Sequence, residues 1–216
     1  MLQLVTPSPT LREIYVPQSR ELKVGVHLAT SKWSSLSACS GVMAMGGKTV
    51  GVLVEFNYED LEVWYPLLRF REEGFMTVAI GPEKDKSYTS KHGYPCKSTA
   101  SIDAVAVADL AALVIPGGWA PDYWRRDPRF VNLVRDMFNA GKPVAAICHG
   151  AWMFCSARII KDKKLTCFHA IKDDVINAGG LYEDSAVVVD GNLITSRVPG
   201  DLPQFCKAIL QQLQAQ

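Results

Sequence analysis

The feature that most constrains this chain is a repeated alternation of two kinds of stretch. Thr49 to Glu55 (TVGVLVE), Met76 to Ile80, Ala111 to Ile115 and the run ending at Ile147 are short, apolar and rich in β-branched residues. Such runs suit strands buried on both faces. Between the first two, Leu61, Trp64, Tyr65 and Leu68 recur at helical spacing, and Gly74 closes that segment at the C′ position. Pro66 falls inside the pattern and predicts a kink or a first-turn position. Asp127-Pro128 offers an N-cap and an N1 proline for a helix to about Ala140, stopped at Gly141. Strands alternating with helices predict an α/β sandwich around a mostly parallel sheet.

The remaining elements are read in the same way. Lys84 to Ser101 is polar and loop-rich, with an edge strand near Tyr94 to Lys97. Leu165 to Phe168 reads as a short strand and Asp173 to Ala178 as a short helix stopped by Gly179-Gly180. Val187 to Asp190 and Leu193 to Ser196 form a hairpin through Asp190-Gly191-Asn192. Asp201 is placed to cap a last helix, Leu202 to Leu213. Residues 1–47 have a different texture: Thr6-Pro7-Ser8-Pro9-Thr10 is coil chemistry, Val24 to Ala29 could pair as a strand, and Ser31 to Gly47 is rich in small residues. They are taken as an N-terminal extension packing on the domain or on a neighbouring subunit, and residues 48–216 as the α/β domain. Glu13 and Glu21 argue against an organelle-targeting segment, which is basic and poor in acids.

In open sheets of this kind, functional groups gather beyond the carboxyl ends of the strands. Glu59, Gly117-Gly118 and Cys148 all follow predicted strands, so topology alone draws them together. Cys148 stands in Pro143-Val144-Ala145-Ala146-Ile147-Cys148-His149-Gly150, where a buried strand turns into a helix. A thiol there lies over helix N-terminal N–H groups that favour thiolate, and Cys148 is taken as a nucleophile rather than a structural cysteine. His149 could serve as its base if the turn brings the two side chains round, with a carboxylate fixing its tautomer. Glu59 opens a helix, where an acid is favoured by the dipole alone. Beside a thiolate its carboxyl would also hold a proton and relay it. Gly117 and Gly118 could simply turn the chain, or could let backbone N–H groups form an oxyanion hole. Asp122 lies on an exposed-looking loop and gains interest only near His149.

Composition removes several classes of function. With 23 basic and 22 acidic residues the net charge is +1, leaving no electrostatic case for nucleic acid or anionic membrane. No run approaches the roughly 18 apolar residues of a membrane span. The six cysteines form no C-x-x-C pair, and no zinc-type Cys/His spacing occurs. No metal site stands out among the four histidines and six cysteines, and reduced thiols in a cytoplasmic setting fit this pattern.

From Lys48 to Leu213 the chain resembles the PfpI family, within the class I glutamine amidotransferase-like superfamily. The resemblance rests on Tyr58-Glu59-Asp60-Leu61-Glu62 with Tyr65-Pro66, on Lys91-His92-Gly93-Tyr94, and on Pro116-Gly117-Gly118-Trp119-Ala120-Pro121-Asp122. It continues through Ile147-Cys148-His149-Gly150, Asp173-Asp174-Val175-Ile176-Asn177-Ala178-Gly179 and Pro199-Gly200-Asp201-Leu202. It implies a flavodoxin-like three-layer sandwich with Cys148 as nucleophile, His149 as its partner and Glu59 as the carboxyl hydrogen-bonded to the thiol. Gly117 and Gly118 would supply oxyanion contacts. Asp122 would orient the histidine from a neighbouring subunit of a dimer or hexamer. Two departures stand out: Asp122 where the family often has Glu, and Phe168 where relatives are expected to place a Tyr or His in the pocket. The implied activity is cofactor-independent glyoxalase III or deglycase chemistry on small 2-oxoaldehydes such as methylglyoxal, or on their protein adducts. A PfpI-type cysteine peptidase, or a redox-sensing chaperone-like protein in which Cys148 is oxidised, are the alternatives.

Overall fold

A computed structural model describes residues 48–215; the expected extension 1–47, with its candidate strand Val24 to Ala29, lies outside the described residues. The strands in chain order are β1 (Thr49–Leu53), β2 (Met76–Gly81), β3 (Ser87–Thr89), β4 (Pro95–Lys97), β5 (Ala100–Ser101), β6 (Leu110–Ile115), β7 (Val144–Ile147), β8 (Lys164–Leu165), β9 (Leu181–Tyr182), β10 (Val187–Asp190) and β11 (Leu193–Ser196). The helices are α1 (Asp60–Glu72), α2 (Ala120–Trp124), α3 (Pro128–Asn139), α4 (Trp152–Ala157), α5 (Lys172–Asn177) and α6 (Leu202–Gln214). The central sheet has seven strands in the order β10-β11-β7-β6-β1-β2-β5. Every neighbouring pair in it is parallel except the β10–β11 hairpin. This is the expected mostly parallel α/β sandwich.

The apolar runs become strands because helices cover the sheet. Val50, Val52 and Leu53 of β1, the Ala112 to Ile115 run of β6 and all of β7 are essentially inaccessible. Each large aliphatic side chain so placed contributes about 1.5–3 kcal/mol of burial. α3 turns Phe130, Leu133, Val134 and Met137 inward, and α6 turns Leu202, Phe205, Cys206, Ile209 and Leu213. Both sets recur at three- and four-residue spacing, as a helix with one apolar face requires. α1 packs with α6 and α3 with α4, giving two separate helix groups against the sheet.

Several local expectations need correction. Of the two placements expected for Pro66 the first turn is not taken: it is the seventh residue of α1, buried in its interior, where its missing N–H leaves the Glu62 carbonyl without its intrahelical donor. The strand near Tyr94 to Lys97 pairs as β4 with β3 in a separate two-stranded ribbon, not at the edge of the central sheet. Leu165 to Phe168 shortens to β8, because the chain turns at Phe168 to send its N–H to the Cys148 carbonyl, 3.3 Å away. Asp201 stands at the start of α6, but its carboxylate pairs with Arg197 instead of capping the helix. No helix among the described residues is long and apolar enough to cross a membrane.

Candidate active site

The carboxyl ends of β1, β6 and β7 converge as topology required, and the turn after β7 is the tightest point. Cys148 adopts φ +59°, a left-handed conformation that side chains other than glycine's rarely take. Gly150 explains the strain. Its missing Cβ would run into the Ile115 carbonyl oxygen and lie 3.0 Å from that of Pro116. The chain after the cysteine is thus drawn against the end of β6, and Cys148 absorbs the bend. A 3₁₀ turn, Cys148–Ala151, follows and leads into α4. The bend brings the adjacent side chains round, so that Cys148 Sγ lies 3.3 Å from His149 Nδ1.

The carboxyl that meets the thiol is Glu62, not Glu59. Glu62 is fully buried; its Oε2 accepts the Gly117 N–H at 2.6 Å, and a Cβ built on Gly117 would stand 2.8 Å from both that oxygen and Cys148 Cβ, so the carboxyl adjoins the thiol. Burial, reinforced by the nearby Glu59 charge, pushes the Glu62 carboxyl up to about 8, so it carries a proton at neutral pH. Its Oε1 is buried with no hydrogen-bond partner among the described residues. Glu59 is engaged elsewhere. Its Oε2 accepts the Glu62 N–H at 3.0 Å and caps α1, while its Oε1 faces Lys91 Nζ at 3.9 Å. No hydrogen bond joins Glu59 to Cys148 among the described residues. The two acids lie three positions apart on one helix start, and spacing beyond a strand could not rank them. Depth could have: position 62 falls one turn further in, on the face shared with Pro66.

The glycines also divide their work. Gly117 does not present a free N–H to an oxyanion, because that N–H is committed to Glu62. A Cβ on it would stand 2.8 Å from both Cys148 Cβ and Glu62 Oε2. Gly118, at φ +70°, forms an isolated antiparallel bridge with Tyr58 and directs its N–H, with that of His149, at the Cys148 sulfur. Burial and the neighbouring Glu62 charge push the Cys148 thiol up, and these two N–H groups work against that rise. Protonation of Glu62 removes its charge from beside the sulfur and with it that part of the rise, while the rise from burial stays.

The other flank is aromatic. The His149 ring lies among Phe168, Trp152 and Trp119, with centroids 5.0, 5.1 and 5.5 Å away. Burial, then the Lys91 and His169 charges, hold it below its ordinary value, so it is a neutral base. Asp122 is not beside it in this chain. Its carboxylate pairs with Arg126 one turn along, and both side chains are largely exposed. Phe168 does line the site, closing a cavity of about 170 Å³ with Trp119, Val198 and Pro199.

Sequence reasoning missed two lining residues with chemistry, Glu62 and Lys91. Lys91 belongs to the Lys91-His92-Gly93-Tyr94 motif, whose function the structure makes plain. Asp60, beside the α1 cap, accepts from Ser90 Oγ at 2.6 Å and lies 2.7 Å from His92 Nδ1, while the Lys91 N–H donates to the Tyr58 carbonyl. The loop joining β3 to β4 is thereby tied to the rim. Among the described residues, Glu59, Asp60 and His92 form the one group whose ligand atoms come close enough to share an ion. Each already has a protein partner, which accounts for the cluster without a metal.

The family model described as the DJ-1/PfpI family matches residues 48–212. "Protein/nucleic acid deglycase 2" of Escherichia coli is 43% identical over 170 residues, covering 78% of this chain and 99% of the relative. "Putative cysteine protease YraA" of Bacillus subtilis is 40% identical over 166 residues, covering 77% and 98%. A solved two-domain protein from Anabaena variabilis, with DJ-1/ThiJ/PfpI-like and ferritin-like domains, superposes with a TM-score of 0.76 at 40% identity. That match covers 77% of this chain and 48% of the two-domain chain.

Proposed function

The chain belongs to the DJ-1/PfpI family, and from that premise we propose that it is a cofactor-independent enzyme of glyoxalase III or deglycase type, acting on small 2-oxoaldehydes and their adducts. One observation carries the proposal: a fully buried Glu62 carboxyl that accepts the Gly117 N–H beside the Cys148 thiol, where burial favours its protonated form. A carboxylic acid poised beside a nucleophile suits addition to a carbonyl, because the oxygen that gains the electron pair needs a proton at once.

With methylglyoxal, the Cys148 thiolate adds to the aldehyde carbon, and Glu62 gives its proton to the resulting oxygen to form a hemithioacetal. Neutral His149 takes the hydrogen from that carbon, giving an enediol. Reprotonation at the neighbouring carbon leaves a lactoyl thioester, and water releases lactate and the thiol. The aldehyde carbon is oxidised and the ketone carbon reduced within one molecule, so no redox partner is required. An adduct on a protein amine or thiol enters the same sequence after releasing its carrier. Asp122 of a second copy is proposed to orient His149, since the Asp122 of the same chain is paired with Arg126.

Purified protein given methylglyoxal should form lactate, and Cys148→Ala should reduce turnover to background. Unchanged turnover in that variant would sink the nucleophile. The name of the Bacillus relative keeps peptide hydrolysis in view, yet a cavity of about 170 Å³ is well below the roughly 300–1,000 Å³ of sites that enclose drug-sized ligands. Peptide cleavage by rigorously purified protein, without lactate formation, would reverse that preference.

A further inference from the structure

Among the residues lining the Cys148 cavity, Lys91 is the one whose position neither catalysis nor folding yet explains. Its side chain is about one-third exposed and lines the same cavity as Cys148, His149, Trp119 and Phe168. The nearest anion, Glu59 Oε1, is 3.9 Å away, beyond hydrogen-bond distance, and no hydrogen bond to Lys91 Nζ is formed among the described residues. The backbone beneath it is fixed. Tyr58, Asp60, Ser90 and His92 tie its loop to the start of α1. Gly93, at φ +93°, lets the loop close. An ammonium with open donors, on a preorganised loop, lining the small cavity that also holds the Cys148 thiol, is a ready partner for an anion.

We propose that Lys91 is an anion subsite of the Cys148 cavity, selecting carbonyl substrates that carry or develop an oxyanion beside the attacked carbon and disfavouring cationic ones. This rests on the proposed reaction and narrows its substrate class. The enediol stage gathers negative charge on the oxygen of the second carbon, and the product is a carboxylate; Lys91 is placed to meet both. Neutral or anionic 2-oxoaldehydes and thiol adducts would be preferred, whereas adducts on a guanidinium would meet a like charge.

The test uses two alkylating reagents alike in size and differing in charge, anionic iodoacetate and neutral iodoacetamide. In each the Cys148 thiolate forms an S–C bond and iodide leaves with the C–I electron pair. Rates at Cys148 are followed by mass mapping of the intact chain. The iodoacetate-to-iodoacetamide ratio should exceed that of free cysteine. Lys91→Met should lower the ratio about tenfold, as expected for one partly solvated charge, and 0.5 M salt should narrow it in the wild type. Lys91→Arg should retain it. The iodoacetamide rate reports whether each variant keeps an intact thiol site. An equal ratio in wild type and Lys91→Met would overturn the subsite. The ratio needs no turnover, so absent lactate formation would defeat the proposed reaction while leaving the subsite standing. Lactate formation with an unchanged ratio would do the opposite.

Discussion

The two flanks of Cys148 are built by different rules. On one side the thiol faces Glu62, Gly117 and Gly118, all buried and all bonded within one chain. On the other it faces His149, partly buried, with Nδ1 3.3 Å from the sulfur but otherwise packed among rings, while Asp122 pairs with Arg126. The chain alone thus brings a buried carboxyl to the Cys148 thiol but, among the described residues, pairs Asp122 with Arg126 and not with His149. Hydrogen-bonded buried groups fix an atom to within tenths of an ångström, whereas stacking leaves a ring free to turn in its plane. The buried flank should therefore respond to atom-level changes, and the aromatic flank to assembly.

The largest expected effect tests the buried flank. Glu62→Leu removes the acid and leaves the Gly117 N–H without its acceptor, so turnover should fall about 10³-fold. Glu62→Gln is the informative companion. Its amide oxygen can accept from Gly117 while its NH₂ donates to sulfur, copying the protonated acid without a transferable proton. Alkylation of Cys148 should survive in this variant while kcat falls about 10²- to 10³-fold. If alkylation and turnover fell together in Glu62→Gln, the separation of thiolate stabilisation from proton delivery would be wrong.

The same side chain sets a pH dependence of stability. The folded-state carboxyl titrates near 8, above the ordinary 4.5, so the folded chain binds this proton more tightly than the unfolded one. The resulting stability is fully present below about pH 4.5 and is lost as pH rises through about 8. Compared in a Cys148→Ala background, which removes thiol ionisation, Glu62→Gln should flatten this loss by on the order of 3 kcal/mol between those limits. Denaturant titrations at pH 5 and pH 8.5 measure it. Parallel pH profiles with and without Glu62 would mean that the carboxyl is ionised despite its burial.

The aromatic flank breaks differently. Asp122→Asn disturbs only an exposed ion pair, worth at most about 1 kcal/mol to the fold. If Asp122 of a second copy orients His149, kcat should fall about 10- to 100-fold with Cys148 alkylation unchanged, and activity per chain should drop on dilution below the assembly constant. Activity indifferent to both Asp122→Asn and dilution would show that His149 works without it.

This division also marks how far the sequence could be read. The sheet, its helices and the turn that carries Cys148 were open to inspection because period and turn chemistry are local: β7 ends where its apolar run ends, and α3 starts at Asp127-Pro128. The choice between Glu59 and Glu62 was not, since both are acids past β1 at a helix start, and only the depth of α1 against Gly117 separates them. Gly117 was read as an oxyanion donor, but its N–H goes to Glu62, a pairing across 55 positions that no local pattern encodes. Lys91 lay hidden for the same reason. Its motif looked like loop chemistry until the contacts of Asp60 tied it to the rim.

The smallest effect concerns the strain at the hinge between the flanks. Cys148 is held at φ +59°, which costs an L side chain about 1–2 kcal/mol and glycine almost nothing. Cys148→Gly should therefore be about 1 kcal/mol more stable than Cys148→Ala, although glycine loses more entropy on folding. Both variants lack the thiol and its contact with Glu62, so the difference isolates the backbone. Equal stability would mean that the turn relaxes once sulfur is gone, and that Sγ contacts, not the packing of Gly150 against Ile115, enforce the bend. Greater stability for glycine would locate the strain in the backbone. The nucleophile is then held in place by the end of β6, independently of either flank.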